Sequence, residues 1–158
     1  MIKVGIGKDS HKFGSNKPLI LGGIEIPSEQ GFESHSDGDV VLHALFNAIS
    51  SALGGGSIGY YYPNDDSSNY NKVSKEFFEK IYELLKQNNY KVCNISITIE
   101  AKQPKLEPHF PAMRKSIADI CETDINSVGI TATTGEGLTA FGKGEGIQVI
   151  AMVSLIQC

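Results

Sequence analysis

The chain has 158 residues, of which 41% are hydrophobic and 20% charged, and its formal net charge is −4. A chain of this length can bury a core without disulfide staples, so a single domain over residues 1–158 is expected. The acidic balance argues against a nucleic-acid partner, no run reaches the ~18 apolar residues of a membrane span, and no targeting leader precedes Ile2, so a cytoplasmic protein is expected.

A first strand is predicted over Ile2–Gly7. Leu19-Ile20-Leu21 and Ile24-Glu25-Ile26 flank Gly22-Gly23 and predict a hairpin. After the polar stretch Ser34–Asp39, the residues Leu42, Leu45, Phe46, Ile49 and Leu53 recur at helical spacing, and Gly54-Gly55-Gly56 ends that helix. Ser36 or Asp37 is the expected N-cap. A long loop to about Asn71 has the composition of a binding wall. A second helix is predicted over Val73–Gln87. The alternation of Ile95, Ile97 and Ile99 with Asn94, Ser96 and Thr98 predicts a strand over Val92–Ala101 with one polar face, either wet or paired with another subunit. A third helix over Phe110–Cys121 and strands over Val128–Thr133 and Ile147–Ile156 follow, the last apolar on both faces and so central. This order predicts an α+β, α/β-layered fold: one mixed sheet with helices packed on one face, plus the small hairpin. Cys93, Cys121 and Cys158 form no C-x-x-C pair, which points to a reducing compartment and away from a cysteine zinc site. Cys93 and Cys121 are expected as small buried residues.

Four short segments carry chemistry. In extended chain, residues two apart share a side, so Asp9 and His11 of Asp9-Ser10-His11 can present an oxygen and a nitrogen to one point. His43 lies one turn into the first helix, with Asp39 four residues earlier as a candidate to orient its ring. His35 falls just before the helix, where anions are favoured. A histidine on a helix flank is ordinarily a boundary residue, but three of the four histidines fall in these two polar motifs. Asp9, His11 and His43 together have the composition of a three-ligand zinc site with an open position. Ala132-Thr133-Thr134-Gly135-Glu136-Gly137 offers small residues and hydroxyls to a phosphate, and Glu136 could hold Mg²⁺. Ala101-Lys102-Gln103-Pro104-Lys105-Leu106 can offer backbone groups to a base edge, or serve as a plain connection.

These segments, in this order, resemble the 2-C-methyl-D-erythritol 2,4-cyclodiphosphate synthase family. The most specific part is His35-Ser36-Asp37-Gly38-Asp39-Val40 followed by Leu42-His43-Ala44-Leu45, with the upstream Gly-x-Asp-x-His pattern. Ile58-Gly59, Tyr62-Pro63, Pro104-Lys105 and Gly144-Glu145-Gly146 also fit, and the resemblance spans Val4 to Leu155. It implies a homotrimer with active sites between subunits, zinc on Asp9, His11 and His43, and Mg²⁺ or Mn²⁺ on Glu136. The implied substrate is a small cytidine diphosphate-linked methylerythritol 2-phosphate that cyclises with loss of CMP. His35 and Thr134 match transition-state-stabilising positions. Matching substrate contacts include Asp9, Ser10, His11, His35 and Ser36. They continue through the wall at Ser57, Ile58, Gly59, Tyr62, Pro63, Asn64, Asp65 and Asp66. Ala101, Lys102, Gln103, Pro104, Lys105, Leu106 and Glu107 match the cytosine pocket, and Thr133, Thr134, Gly135, Glu136 and Lys143 the phosphate end. Ser57 and Asn64 stand where the family usually has Asp, Gly135 and Gly137 flank Glu136 where Thr and Lys are typical, and Lys143 replaces a common Arg. Two other readings use the same residues. A metal-dependent nucleotide-diphosphate hydrolase would give an open-chain product, and a noncatalytic trimeric module binding isoprenoid diphosphates would keep its ligand after His43→Ala.

Overall fold

The computed structural model describes residues 1–158. Strand β1 runs from Ile2 to Ser15, well past the expected end at Gly7. The cause is a period-two pattern that outlasts its hydrophobicity. Gly5, Gly7, Asp9, His11 and Phe13 face inward, while Val4, Ile6, Lys8, Ser10 and Lys12 face outward. Polar residues therefore continue the strand rather than follow it.

The other strands are β2 (Leu19–Leu21), β3 (Ile24–Ile26), β4 (Gly31–Phe32), β5 (Tyr90–Glu100), β6 (Val128–Thr133) and β7 (Gly146–Gln157). The main sheet has the order β4-β1-β7-β5-β6, and β2 and β3 form the separate hairpin. β7 is central, as expected, and antiparallel to both β1 and β5. β5 and β6 are parallel, so the chain must cross over between them. Helix α4 (Phe110–Ile120) makes that crossing. The hairpin turn holds Gly22 at φ 62° and Gly23 at φ 82°, the positive pair that a two-residue turn of matching twist demands.

The remaining helices are α1 (Val40–Ala52), α2 (Ile58–Tyr61) and α3 (Ser74–Gln87). α2 and a 3-10 turn at Ser67–Asn69 give structure to the segment expected as loop. α1 is buried nearly all round and not along one stripe, because its inner side lies on β1 and β7 and its outer side under α3. The contact with β1 is backbone to backbone. A Cβ on Gly5 would strike the Ala48 carbonyl, and one on Gly7 the Ala44 carbonyl. These two glycines bring α1 down onto the strand over the stretch that begins directly after His43.

The N-cap of α1 is Asp39, not Ser36 or Asp37. Its Oδ1 accepts from the Leu42 N–H at 3.0 Å and the Gly22 N–H at 2.9 Å, and its Oδ2 from the Gly23 N–H at 2.7 Å. One fully buried carboxylate thus joins the helix start to the hairpin turn. Burial pushes its pKa up to about 6, against the pull of the three N–H donors.

A continuous apolar core fills the space between the helices and one sheet face. Cys121 belongs to it, but Cys93 is exposed, contrary to expectation. A bulge between Val92 and Asn94 interrupts the alternation of β5 there and turns Cys93 outward. On the sheet face away from the helices, Val4 is 62%, Ile6 58% and Met152 48% exposed, so this face is apolar in part and uncovered. No helix is long and apolar enough to cross a membrane.

Candidate metal centre and ligand cavities

Asp9 and His11 sit on β1, two residues apart and on the inward side, and His43 comes down onto them from α1. His11 Nε2 and His43 Nδ1 are 3.2 Å apart, His43 Nδ1 and Asp9 Oδ2 3.2 Å, and His11 Nε2 and Asp9 Oδ2 3.4 Å. A tetrahedral ion with bonds of about 2.0–2.1 Å separates its ligands by about 3.3–3.4 Å, so this near-equilateral triangle fits such an ion. The chemistry fits as well: two imidazole nitrogens and a carboxylate oxygen, each able to offer a lone pair, lie together. Burial lowers the pKa of His11, with Asp9 opposing and His43 assisting, which favours the neutral ring that a metal requires. The three side chains are only 26%, 20% and 10% exposed for Asp9, His11 and His43, so one side of the triangle opens to solvent and the rest is enclosed.

The expected link from Asp39 to the His43 ring is absent, since the Asp39 carboxylate is taken by the hairpin and the helix start. His43 Nε2 instead meets Ser74 Oγ at 2.9 Å.

The triangle opens into a cavity of about 340 Å³. Of the expected residues, Asp9, His11, His35, Ser36, His43, Ile58, Gly59, Tyr62 and Asn64 line it. Glu33, Ser34, Asn69, Tyr70 and Phe77 line it too and carried no signal in the sequence beyond their nearness to the motifs. The wall is tied to the centre at both ends. Asn47 Oδ1 on α1 accepts from the Ile58 N–H at 2.8 Å, and the Asn71 N–H donates to the His35 carbonyl at 2.8 Å. Lys17 Nζ donates to the Ser34 carbonyl at 2.7 Å, bracing the segment that presents His35. Lys72 lies 4.9 Å over the Tyr62 ring. Ser57, Pro63, Asp65 and Asp66 are exposed and outside the cavity, and Asp66 caps its own 3-10 turn through the Ser68 N–H. Ser10 projects to the opposite sheet face from Asp9 and His11.

The phosphate and base segments form a second place. A cavity of about 300 Å³ is lined by Ala101, Lys102, Pro104, Lys105, Leu106 and Glu107 with Ala132, Thr133 and Thr134. The Gln103–Pro104 peptide is cis, and Gln103 faces a separate depression beside Phe13. Glu136 and Lys143 are exposed, and Glu136 sits at φ 49° in a turn that also includes Gly135. The two cavities share no residue. Asp9 pairs with Val149, Val149 with Ile99, and Ile99 with Ala132, so the two places stand on one rung, three strand spacings apart. That separation is about 14 Å.

The YgbB family model matches residues 2–156. A protein named 2-C-methyl-D-erythritol 2,4-cyclodiphosphate synthase from Vibrio vulnificus (strain YJ016) is 44% identical over 157 residues, 99% of this chain and 99% of the relative. A solved 2C-methyl-D-erythritol-2,4-cyclodiphosphate synthase in its CDP-bound form superposes with a TM-score of 0.89 at 34% identity, covering 98% of this chain and all of that one. The bifunctional IspDF from Campylobacter jejuni gives a TM-score of 0.95 at 37% identity, with all of this chain matching 43% of that longer chain.

Proposed function

The chain belongs to the YgbB family, and from that premise we propose that it cyclises 4-diphosphocytidyl-2-C-methyl-D-erythritol 2-phosphate to 2-C-methyl-D-erythritol 2,4-cyclodiphosphate and CMP. An oxygen of the 2-phosphate attacks the β-phosphorus, a new P–O bond forms, and the bond from the β-phosphorus to the CMP oxygen breaks. CMP carries away the electron pair. The attacking phosphate is already anionic, so no general base is required. Both reacting groups belong to one molecule, and the protein's task is to fold that molecule into line and offset its charge.

The observation that carries the reading is the convergence of Asp9, His11 and His43 at the mouth of a cavity that also holds His35. Asp9, His11 and His43 would hold Zn²⁺ and Glu136 a Mg²⁺ or Mn²⁺ ion, and when bound these ions supply polarisation and charge neutralisation of the diphosphate. His35 and Thr134 donate hydrogen bonds to phosphate oxygens as charge develops on them. Ile58, Gly59, Tyr62 and Asn64 enclose the methylerythritol unit and exclude water. Ala101–Glu107 receive the cytosine, with Lys102 and Lys105 near its phosphates. Ser36, Thr133, Gly135 and Lys143 complete the substrate contacts, and Ser57, Pro63, Asp65 and Asp66 join them as the wall settles on the ligand.

The working form is a homotrimer of 158-residue single domains with active sites between subunits. Two observations support it. The metal cavity and the base cavity stand about 14 Å apart across one sheet and share no residue, an arrangement that lets a neighbouring chain complete each of them. The uncovered sheet face carries Val4, Ile6 and Met152, which association would bury. The protein acts in the cytoplasm on a small molecule and requires neither nucleic acid nor membrane.

Phosphorus NMR of the purified protein with this substrate and Mg²⁺, with and without a zinc chelator, tests the reading. Chelator-sensitive appearance of CMP with a cyclic diphosphate is the expected result. An open-chain product would make it a hydrolase, and persistence of substrate with zinc bound would remove the cyclase reading.

A further inference from the structure

The least expected group at the centre is Ser74, the first residue of α3, with a relative exposure of 0%. Its hydroxyl lies between two partners from elsewhere in the chain. On one side is His43 Nε2 at 2.9 Å. On the other is Asp37 Oδ1, in a close hydrogen bond. The second Asp37 oxygen, Oδ2, accepts from the Ser74 backbone N–H at 2.9 Å. The residue before Ser74, Val73, offers no capping side chain, so the start of α3 is capped from a distance by Asp37.

Counting protons fixes the direction of this chain of bonds. The Asp37 carboxylate only accepts, so the single Ser74 hydroxyl proton goes to it. That leaves lone pairs on Ser74 Oγ toward His43. The contact at 2.9 Å is then a hydrogen bond only if Nε2 of His43 carries the proton. In a neutral ring Nδ1 is then bare, and Nδ1 is the atom that faces Asp9 Oδ2 and His11 Nε2, each at 3.2 Å. We infer that Asp37 and Ser74 are positioning residues that hold His43 in its Nε2–H tautomer and thereby set the affinity of the Asp9–His11–His43 point for zinc. This rests on the proposed metal reading of those three residues. It also ties the metal to the wall of the cavity. The wall segment ends at Val73, one residue before Ser74, so a seated α3 and a correctly presented His43 are one condition.

Two substitutions separate the roles. Ser74→Ala removes the acceptor for Nε2–H, and Ser74→Thr keeps it. Asp37→Asn keeps the shape but frees the Ser74 hydroxyl proton to turn toward Nε2, which favours the tautomer with a proton on Nδ1. The experiment measures zinc dissociation constants by competition with a chromophoric chelator. It also reads the His43 tautomer of the zinc-free protein from nitrogen-15 correlations of the ring. The relay predicts an Nε2–H ring in the wild type. It predicts zinc binding weakened about 10–100-fold in Ser74→Ala, restored in Ser74→Thr, and a ring shifted toward Nδ1–H in Asp37→Asn. An Nδ1–H ring in the wild type overturns the relay without any variant, so a poorly folding Ser74→Ala protein does not shield it. Wild-type zinc affinity in Ser74→Ala overturns the relay while leaving the metal reading intact. A wild type that takes up no zinc removes the metal reading and the relay with it.

Discussion

The two ends of the proposed site are built on opposite plans. Asp9, His11 and His43 stand on a paired strand and a buried helix, and their ligand atoms already converge to within 3.4 Å. Glu136 sits in an exposed turn at positive φ, with Lys143 exposed nearby in sequence. The difference teaches how much of a site one chain can organise. Where all partners belong to the same chain, packing fixes them in advance; where they await a ligand or a second chain, they stay in solvent.

Substitutions that erase the organised end test this contrast most severely. Asp9→Ala or His11→Ala should remove bound zinc and lower turnover by at least about a thousandfold, because several kcal/mol of charge stabilisation go with the ion. Metal analysis beside the phosphorus NMR assay checks both, and full zinc occupancy would disprove the ligand assignment. Gly7→Ala comes next. Its methyl group meets the Ala44 carbonyl, so α1 must lift from β1, at a cost of about 1–3 kcal/mol, with zinc binding weakened in step. A denaturant midpoint unchanged from wild type would show that α1 is not held by that contact.

A smaller effect concerns the hairpin clamp. Burial raises the Asp39 pKa to about 6 in the folded chain, above the ordinary value of about 4. The folded state therefore binds the proton more tightly, and the group's contribution is full below about pH 4 and lost as pH rises through about 6. Relative to Asp39→Asn, the wild type should lose stability between pH 4 and pH 7, by on the order of 1–3 kcal/mol. Urea unfolding of both proteins across that range gives the difference, and a gap that widens in favour of wild type would reverse the sign. The mildest change belongs to the loose end. Glu136→Gln should leave stability within about 0.5 kcal/mol and raise the Mg²⁺ needed for half activity. An unchanged Mg²⁺ dependence would remove Glu136 from the metal end.

The parts legible in the sequence are those whose signal is local. The Gly22-Gly23 hairpin, the alternation of β5 and the helical spacing of α4 follow from neighbours in the chain. The pairing of Asp9 with His11 is also local, since only Ser10 lies between them on the strand. β1 outruns its hydrophobic stretch because Lys8, Asp9, Ser10 and Lys12 keep its period while losing its hydrophobicity. The cap of α1 is not legible locally, because Ser36, Asp37 and Asp39 are all good caps and only the distant hairpin donors select Asp39. Ser74 had no signal at all. It reads as a plain helix-start serine until the fold carries it to His43, 31 positions away.

The rung that keeps Asp9 apart from Ala132 also has a genetic consequence. In the proposed assembly each reaction centre draws its metal half from one copy and its base half from the next. A polypeptide lacking His43 and another lacking Thr134 would each be inert when pure. Co-expressed, they would meet in some centres with the sound half of each, roughly one centre in four by random mixing. Two null alleles of such a gene could then complement one another, and an organism's phenotype would report the pairing of its lesions and not their number.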